Sequence, residues 1–576
     1  MDRTSWIGVI VCAILFFVWT WYAKHTFPPK QTHLTTSSLS TSPTSQDSSS
    51  TPSLTAGNPS ALKPLPASTP EQTITLENDS IRVLFTSHGG AIKKIDLLQH
   101  MGKSKTENIV LHEHSPIPFL ARSGWNEGSE IYTLEKQGNQ ILAKTALNNG
   151  LVVERLYSIQ NQYQITLQET LRNPSLQTIV LPNFELSLGS GEPIHPHDPI
   201  THLKAGWLAR ETESYKSNAV ANMSGGLFKQ AKTQIVETTP NLDWAATTNQ
   251  FFASIVRVPA ELKSVEMNWN KIELPKEGDK PTPHLVAMQA EVSFQGLALN
   301  PQSTSSWTYE VYTGPKEYAL LKNFPDHQSN VVEFGIWGWV IKPLLAVMHY
   351  LHQPLSWFGN LYKLNYGWVI ILLTVILKLV FWPLQSAANT SMKKMQALAP
   401  KMEELKKKHE KDPQKMNAEV MKLYRDYGVN PVGGCLPMLV QLPIFFGLYT
   451  MLQSAVEVRN ESFLWIHDLA QPDTIYTITG LGWDINPLPL IMTATSILLM
   501  KMTPQSSDNP QMKMFQFMPL LFLFMLYNFA AALSLYQTVN TLISMVQTYR
   551  NIKTAPPTLQ RVKKKKPFGF GNLPSA

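Results

Sequence analysis

The chain has little of what most enzymes and disulfide-bonded proteins depend on. It contains only two cysteines in 576 residues, and both lie in apolar stretches, so a stabilising disulfide is not expected. The sequence has no Walker A loop, no zinc-type spacing of Cys and His and no dinucleotide fingerprint. No acid–base pair or nucleophile arrangement stands out. We therefore expect no enzyme, no metal and no cofactor.

Charge is also scarce, at 16% of residues, and the apolar residues are clustered rather than spread evenly. The net charge of +7 arises mainly beside the apolar spans and in the tail. The positive-inside rule for membrane proteins explains this placement better than nucleic-acid binding does. The composition thus predicts a membrane protein with a soluble appendage and no sequence-specific nucleic-acid binding.

Three regions precede the main apolar spans. Residues 1–22 form a short apolar segment with no small-residue cleavage site directly after it, which predicts an uncleaved signal anchor. Residues 23–70 are rich in Ser, Thr and Pro and predict a disordered tether. Residues 71–315 alternate between apolar and polar positions, for example at 73–76, 81–85, 164–168 and 292–294, and predict a large all-β sandwich domain outside the cytoplasm.

The remaining sequence predicts helices in and beside a membrane. Residues 316–355 are expected to form a linker and an amphipathic interfacial helix, because Lys342 and Pro343 interrupt the apolar run. Residues 356–550 contain predicted spans at about 364–384, 434–455, 487–503, 512–529 and 531–549. The segment 385–431 carries ten Lys or Arg against six Asp or Glu, and residues 551–576 form a basic tail, so both are placed in the cytoplasm. With the anchor, this predicts a polytopic α-helical protein of six spans with both termini in the cytoplasm.

One charge lies inside the second apolar span. Lys378 has aliphatic neighbours on both sides, and a Lys near the middle of a spanning helix costs about 2.5–3.5 kcal/mol on insertion scales. One interpretation is a functional charge facing a cavity. The other is a lysine that snorkels to the nearby interface, since Pro383 and Gln385 follow closely.

Two further stretches carry polar or adaptable side chains. The segment 385–431 predicts a helical hairpin whose arms carry apolar stripes, including Met392, Met395, Met402, Met416 and Tyr424. These stripes bury each other, or present a flexible surface to varied apolar clients, or do both. The last span places Ser534, Gln537, Thr541 and Ser544 at helical spacing with Asn540 beside them. Such a face is expected to look into the bundle or a wet cavity rather than at lipid, although ordinary interhelical hydrogen bonds explain the Ser and Thr residues equally well.

Residues 430–446 read Asn-Pro-Val-Gly-Gly-Cys-Leu-Pro-Met-Leu-Val-Gln-Leu-Pro-Ile-Phe-Phe. This run closely resembles the third-span signature of the YidC/Oxa/Alb membrane protein insertases. Lys378 four residues after Thr374, the runs 464–469 and 501–504, and Phe517-Met-Pro extend the resemblance over about 335–550. The anchor, tether and β domain resemble the Gram-negative form of the family.

The resemblance implies five core spans around a hydrophilic groove that is open to the cytoplasm and to lipid but closed on the far side. It also implies a cytoplasmic hairpin that meets incoming chains and an interfacial helix at the periplasmic face. It implies a groove charge at Lys378 with Thr374 beside it. Further groove and slide positions map to Gln441, Leu442, Phe445, Tyr536 and Gln537. Two departures stand out: Lys at 378 where Arg is usual, and Ala530-Ala-Ala where Pro-Ser-Gly is common.

The function implied is a membrane protein insertase and chaperone in the bacterial inner membrane. Its expected partners are nascent membrane proteins, the translating ribosome, the Sec translocon and the lipid bilayer. The alternative is an anion transporter or channel that uses Lys378 as its binding charge, although no matching halves are evident. A third possibility is a scaffold whose β domain binds carbohydrate.

Overall fold

A computed structural model describes residues 70–553 except 103–105, 126–129, 196–197, 212–213, 226–229, 276–284, 354–363, 410–411, 430–435, 479–482 and 504–516. The predicted signal anchor, nearly all of the tether and most of the basic tail lie outside these residues, as does Cys435. The described chain consists of a β-rich first part, residues 73–315, and a helical second part that begins at residue 318.

Alternation of buried and exposed side chains produces the strands of the first part. The strands in chain order are β1 Thr73–Glu77, β2 Ile81–Thr86, β3 Ala91–Met101, β4 Asn108–Leu111, β5 Arg122–Ser123, β6 Thr133–Gln137, β7 Gln140–Ala146, β8 Val152–Ile159, β9 Gln164–Arg172, β10 Ile179–Val180, β11 Phe184–Gly191, β12 Lys204–Ala209, β13 Tyr215–Ala219, β14 Gln234–Thr238, β15 Leu242–Thr248, β16 Phe252–Arg257, β17 Ser264–Glu273, β18 Val286–Phe294, β19 Ala298–Leu299 and β20 Thr304–Pro315. The four strands quoted from the sequence, β1, β2, β9 and β18, are confirmed.

Two antiparallel sheets pack face to face to make a sandwich. The larger has nine strands in the order β13-β12-β15-β16-β20-β9-β8-β7-β6, and the smaller has five in the order β14-β17-β18-β11-β5. Contacts of β11 and β18 with β12, β15 and β16 join the two sheets. A four-stranded sheet, β1-β2-β3-β4, extends the domain. The interior contains large side chains such as Trp244, Trp269 and Tyr157.

The helices in chain order are α1 Val220–Met223, α2 Tyr318–Leu321, α3 Gly338–His352, α4 Tyr366–Val380, α5 Trp382–Ala397, α6 Ala399–Lys408, α7 Pro413–Asp426, α8 Leu436–Ser454, α9 Pro487–Met502, α10 Met518–Leu526 and α11 Ala531–Lys553. A short hairpin, β21 Tyr476–Ile478 and β22 Trp483–Ile485, precedes α9. Helix α11 packs against α4, α8 and α9, and α3 packs against α4 and α8. We refer to α3, α4 and α8–α11 as the bundle.

The helix boundaries differ from the predicted spans at two places. The segment predicted as one span at 364–384 is bent by 59° between α4 and α5, because Pro383 near the start of α5 provides no N–H for continuous helical bonding. The described helix within 512–529 is only α10, residues 518–526. Among the described residues, no single helix is both long and apolar enough for a membrane span, whereas α4 and α5 together meet that criterion.

Candidate functional site

A polar cavity lies where α4, α5, α8 and α11 meet. Its volume is about 460 Å³, which includes open space at its mouth. Polar side chains from all four helices line it, together with apolar residues of α4, α5 and α8. The polar lining residues are Thr374, Lys378, Gln385, Gln441, Tyr536, Asn540 and Gln547.

Lys378 provides the positive charge of the cavity, and its hydrogen-bond partner is a neutral side chain. Lys378 Nζ donates a hydrogen bond of 2.8 Å to Ser544 Oγ on α11. The Ser544 hydroxyl in turn donates to the main-chain oxygen of Asn540, one turn earlier. Among the residues that the structure describes, no carboxylate forms an ion pair with Lys378 or lines the cavity. Within this part of the chain the positive charge is therefore hydrogen-bonded but not paired with an anion.

A second polar contact joins α8 to α11. Gln441 Nε2 donates to the Tyr536 hydroxyl at 2.7 Å, and Tyr536 is buried. The Thr374 hydroxyl is also buried and donates to the main-chain oxygen of Ile370 in its own helix. A hydroxyl that donates within its helix still has lone pairs with which to accept from a client or from water.

The structure gathers four of the seven predicted groove residues around one cavity: Thr374, Lys378, Gln441 and Tyr536. Leu442, Phe445 and Gln537 do not line it. Leu442 is exposed, because one residue along a helix turns the side chain by about 100° from Gln441. The Phe445 ring lies near Phe446 and near Phe522 of α10, at centroid distances of 5.6 and 6.2 Å.

The seven predicted groove positions do not include Asn540, Ser544 or Gln547, although the polar face predicted for the last span contains Ser544 with Asn540 beside it. Asn540, Ser544 and Gln547 recur at four- and three-residue spacing along α11, the spacing of one helical face. Asn540 and Gln547 line the cavity and Ser544 holds Lys378. Gln385 has no such signal, since its place in the cavity depends on the bend between α4 and α5.

The helical hairpin 385–431 consists of α5, α6 and α7. Asp412 caps α7 through its side chain, which accepts from the Lys415 N–H, and Pro413 follows at the first helical position. Leu398, Tyr424 and Val429 form a small buried cluster against which Met395 and Met402 pack, and the Tyr424 hydroxyl contacts Met402 Sδ at 3.2 Å. Met392 and Met416 are half-buried and lie outside this cluster. Across the described ranges, no group of three or more His, Cys, Asp or Glu is placed to hold a metal ion.

The described residues thus combine a β-sandwich domain with a helical bundle that contains a polar cavity. A family model described as the 60Kd inner membrane protein matches residues 357–557, and one described as the YidC periplasmic domain matches residues 73–347. The membrane protein insertase YidC of Janthinobacterium sp. (strain Marseille) is 30% identical over 519 residues, which is 87% of each chain. That of Syntrophus aciditrophicus (strain SB) is 28% identical over 584 residues, covering 95% of this chain and 99% of the relative.

The chain therefore belongs to the YidC family of membrane protein insertases. A crystal structure of an active YidC insertase with its first transmembrane domain resolved is 20% identical to the chain. The match covers 85% of this chain and 95% of that one, with a TM-score of 0.34.

Proposed function

We propose that the chain inserts and chaperones nascent membrane proteins through the polar cavity, alone or together with the Sec translocon. In this proposal six spans place both termini and the hairpin in the cytoplasm, where translating ribosomes deliver clients. Five of the spans form the insertase core in the bacterial inner membrane. The observation that carries the proposal is the unneutralised Lys378, hydrogen-bonded to Ser544 in a cavity lined by polar groups of four helices.

The cavity lowers the cost of bringing a polar client segment partway across the bilayer. Water, amides and hydroxyls replace part of the hydration that the segment loses. The Lys378 charge attracts an acidic residue of that segment, with an interaction of about 4 kcal/mol at 4 Å for an effective dielectric constant of 20. No nucleotide is required for this step.

Transfer of the client's apolar helix into lipid then completes insertion. Burial of apolar surface contributes about 25 cal/mol per Å², so a helix of about 20 apolar residues has ample driving force. The Met-bearing arms of the hairpin are placed to meet the client first, because thioether side chains adapt to varied apolar surfaces.

The test is insertion of single-span clients by charge variants at position 378 in a strain depleted of its own insertase. We expect Lys378→Glu to weaken insertion of clients with acidic outer tails by about tenfold or more, because the attraction becomes repulsion. Lys378→Arg is the matched control, since it keeps the charge, and is expected to support insertion. Clients with neutral tails are expected to respond less. Normal insertion of acidic-tailed clients by the Glu variant would refute the electrostatic role.

A further inference from the structure

The segment between α8 and β21 lies at the end of the bundle where α4, α9 and α11 begin. We call residues 459–473 the plug. Phe463, Ile466 and Leu469 are buried within it, with exposed fractions of 7, 2 and 0%. Asp468 Oδ1 accepts from the main-chain N–H groups of Asn460 and Ala470, which fixes the fold of the segment.

The plug supplies hydrogen-bond acceptors to the first turns of two helices. The N–H groups of Ala531 and Ala532, at the start of α11, donate to the main-chain oxygens of Gln471 and Leu469 at 2.8 and 2.9 Å. The N–H of Leu488 at the start of α9 donates to Asp473 Oδ2 at 2.7 Å. The first N–H groups of a helix have no partner inside the helix, so the plug satisfies donors that would otherwise be left without one.

The start of α4 is tied to the plug as well. Asn365, the capping residue of α4, donates through its side chain to Glu461 Oε2 and to the main-chain oxygen of Ser462. The ring of Phe463 lies so close to Gly367 that a Cβ there would be 2.2 Å from it. Three helices of the bundle thus begin on one short segment.

The β domain holds the plug at its first two residues. Arg459 Nη1 and Asn460 Nδ2 both donate to the main-chain oxygen of Met101, at the end of β3, each at 2.8 Å. The Arg459 guanidinium lies 5.8 and 5.9 Å from the ring centroids of Phe251 and Phe252 and is 7% exposed. Desolvated cation–aromatic contacts of this kind contribute up to about 2 kcal/mol.

A further contact holds the helix that leads into the plug. Gln250 Nε2 donates to the main-chain oxygen of Gln453, near the end of α8, at 2.7 Å. The loop before β16 therefore contacts the chain at Gln453, and the end of β3 contacts it at Arg459 and Asn460. These contacts join two parts of the protein that are more than 200 residues apart in sequence.

The plug and the cavity lie at different levels of the bundle. Lys378 follows the cap residue Asn365 by 13 positions along α4, which at 1.5 Å per residue is about 20 Å. A polar cavity that reached both ends of the bundle would provide a path for ions, so one end has to be closed.

We infer that the β domain functions as a clamp that holds the plug across the end of the bundle on the β-domain side, with Arg459 as the positioning residue. The clamp keeps the polar cavity closed on that side while clients enter from the other. This inference extends the proposed function, because it takes the cavity as the path of polar client segments.

The test measures how fast a cysteine inside the plug reacts with a membrane-impermeant maleimide. Full-length protein with Cys12→Ser and Cys435→Ser carries the reporter Leu469→Cys and is reconstituted in phospholipid vesicles. A second reporter, Leu176→Cys, lies at a position of the β domain that is 79% exposed, and it gives the fraction of protein facing outward. We expect almost no labelling at position 469 in this background.

Arg459→Ala is expected to raise the labelling rate at position 469 by about tenfold, equivalent to about 1.4 kcal/mol. Asn460→Asp removes one donor while keeping a residue type that tolerates the φ of 59° found there, so a smaller rise is expected. Arg257→Ala is the matched control. Arg257 ends β16, the strand that begins at Phe252, and pairs with Glu310 and Asp326 rather than with the plug.

The clamp inference would be overturned if labelling at position 469 stayed at the background rate in both Arg459→Ala and Asn460→Asp while labelling at position 176 was normal. If Arg459→Ala fails to fold, Asn460→Asp and Gln250→Ala decide the question. The measurement needs no client, so its failure leaves the insertase proposal standing. Normal insertion by Lys378→Glu would refute the groove charge and leave the clamp intact.

Discussion

The β domain and the bundle both withdraw basic side chains from water, but they surround them differently. Arg122 pairs with Glu169 at 2.6 Å and Glu130 at 3.3 Å, and Arg155 pairs with Glu169 at 3.0 Å. Arg155 also donates to the main-chain oxygens of Gly89 and Leu120. Lys378 has the Ser544 hydroxyl instead.

The difference separates two uses of a buried charge. A cation enclosed by carboxylates and carbonyls holds strands in register, and removing one partner leaves a charge uncompensated. A cation with only a neutral partner in a polar cavity is available to a transient anionic group. The β-domain network therefore stabilises the fold, whereas Lys378 is the charge that we propose acts on the client.

The largest expected effect is on the β-domain network. Glu169→Ala leaves both Arg122 and Arg155 short of a carboxylate and is expected to lower the free energy of unfolding by about 3–5 kcal/mol. Thermal unfolding of the detergent-solubilised chain, followed by circular dichroism of the β-sheets, measures it. Glu310→Ala removes an ion-pair partner that is exposed at 57% and is expected to change stability by less than about 1 kcal/mol. Equal effects of the two substitutions would break the comparison.

Lys378→Met, in contrast to Glu169→Ala, is expected to reduce client insertion without lowering stability. It removes an unneutralised charge from the bundle, so the unfolding temperature should stay the same or rise. Insertion of acidic-tailed clients should fall by about tenfold, because the attraction is lost. The same unfolding assay and an insertion assay in a depletion strain check the two parts. A clear loss of stability would show that Lys378 serves the fold after all.

Glu457, which lies between the β domain and the bundle, is expected to make the stability of the protein depend on pH. Burial raises the pKa of its carboxyl to about 7, with the charge of Glu317 adding to the shift. The folded state therefore holds this proton more tightly than the unfolded chain, and stability falls as pH rises from about 4.5 to 7. Because this group is only half-buried, we expect the free energy of unfolding to fall by about 1–2 kcal/mol over that pH range. Unfolding temperatures at pH 5 and 8 should differ less in Glu457→Gln than in the parent; an unchanged difference would contradict the assignment.

The smallest effect is expected at Ser544. Ser544→Ala removes the acceptor of the Lys378 hydrogen bond, worth about 1 kcal/mol, and water in the cavity can take its place. Insertion of acidic-tailed clients should therefore change by less than about threefold. A loss as large as that of Lys378→Met would mean that Ser544 is required to position the charge.

Much of the β domain follows from the sequence, because alternation along strands such as β9 and β18 is a local signal. The cap of α7 at Asp412 and Pro413 is equally local. The bend at Phe381 was not predicted, because the predicted span 364–384 continues through Pro383 without a break. Gln385 enters the cavity only because of that bend.

The plug could not be predicted either. The contact of Arg459 with Met101, and that of Gln250 with Gln453 in the helix before the plug, span more than 200 residues, and no periodicity in the sequence encodes such pairs. The sequence pattern predicts the polar face of α11, but it does not predict that this face contacts Lys378 of α4. The hydrogen bond between Lys378 and Ser544 depends on how α4 packs against α11.

Crosslinking from position 378 tests the central claim most directly. A photoreactive residue replaces Lys378, and ribosome-bound nascent chains of a neutral-tailed single-span client are supplied, so that the lost charge does not matter. Position 380, which is 62% exposed on the same helix, is the matched control. The account predicts strong crosslinks to the client at 378 and weak ones at 380. Crosslinks that are absent at 378, or stronger at 380, would contradict the cavity as the path of the client.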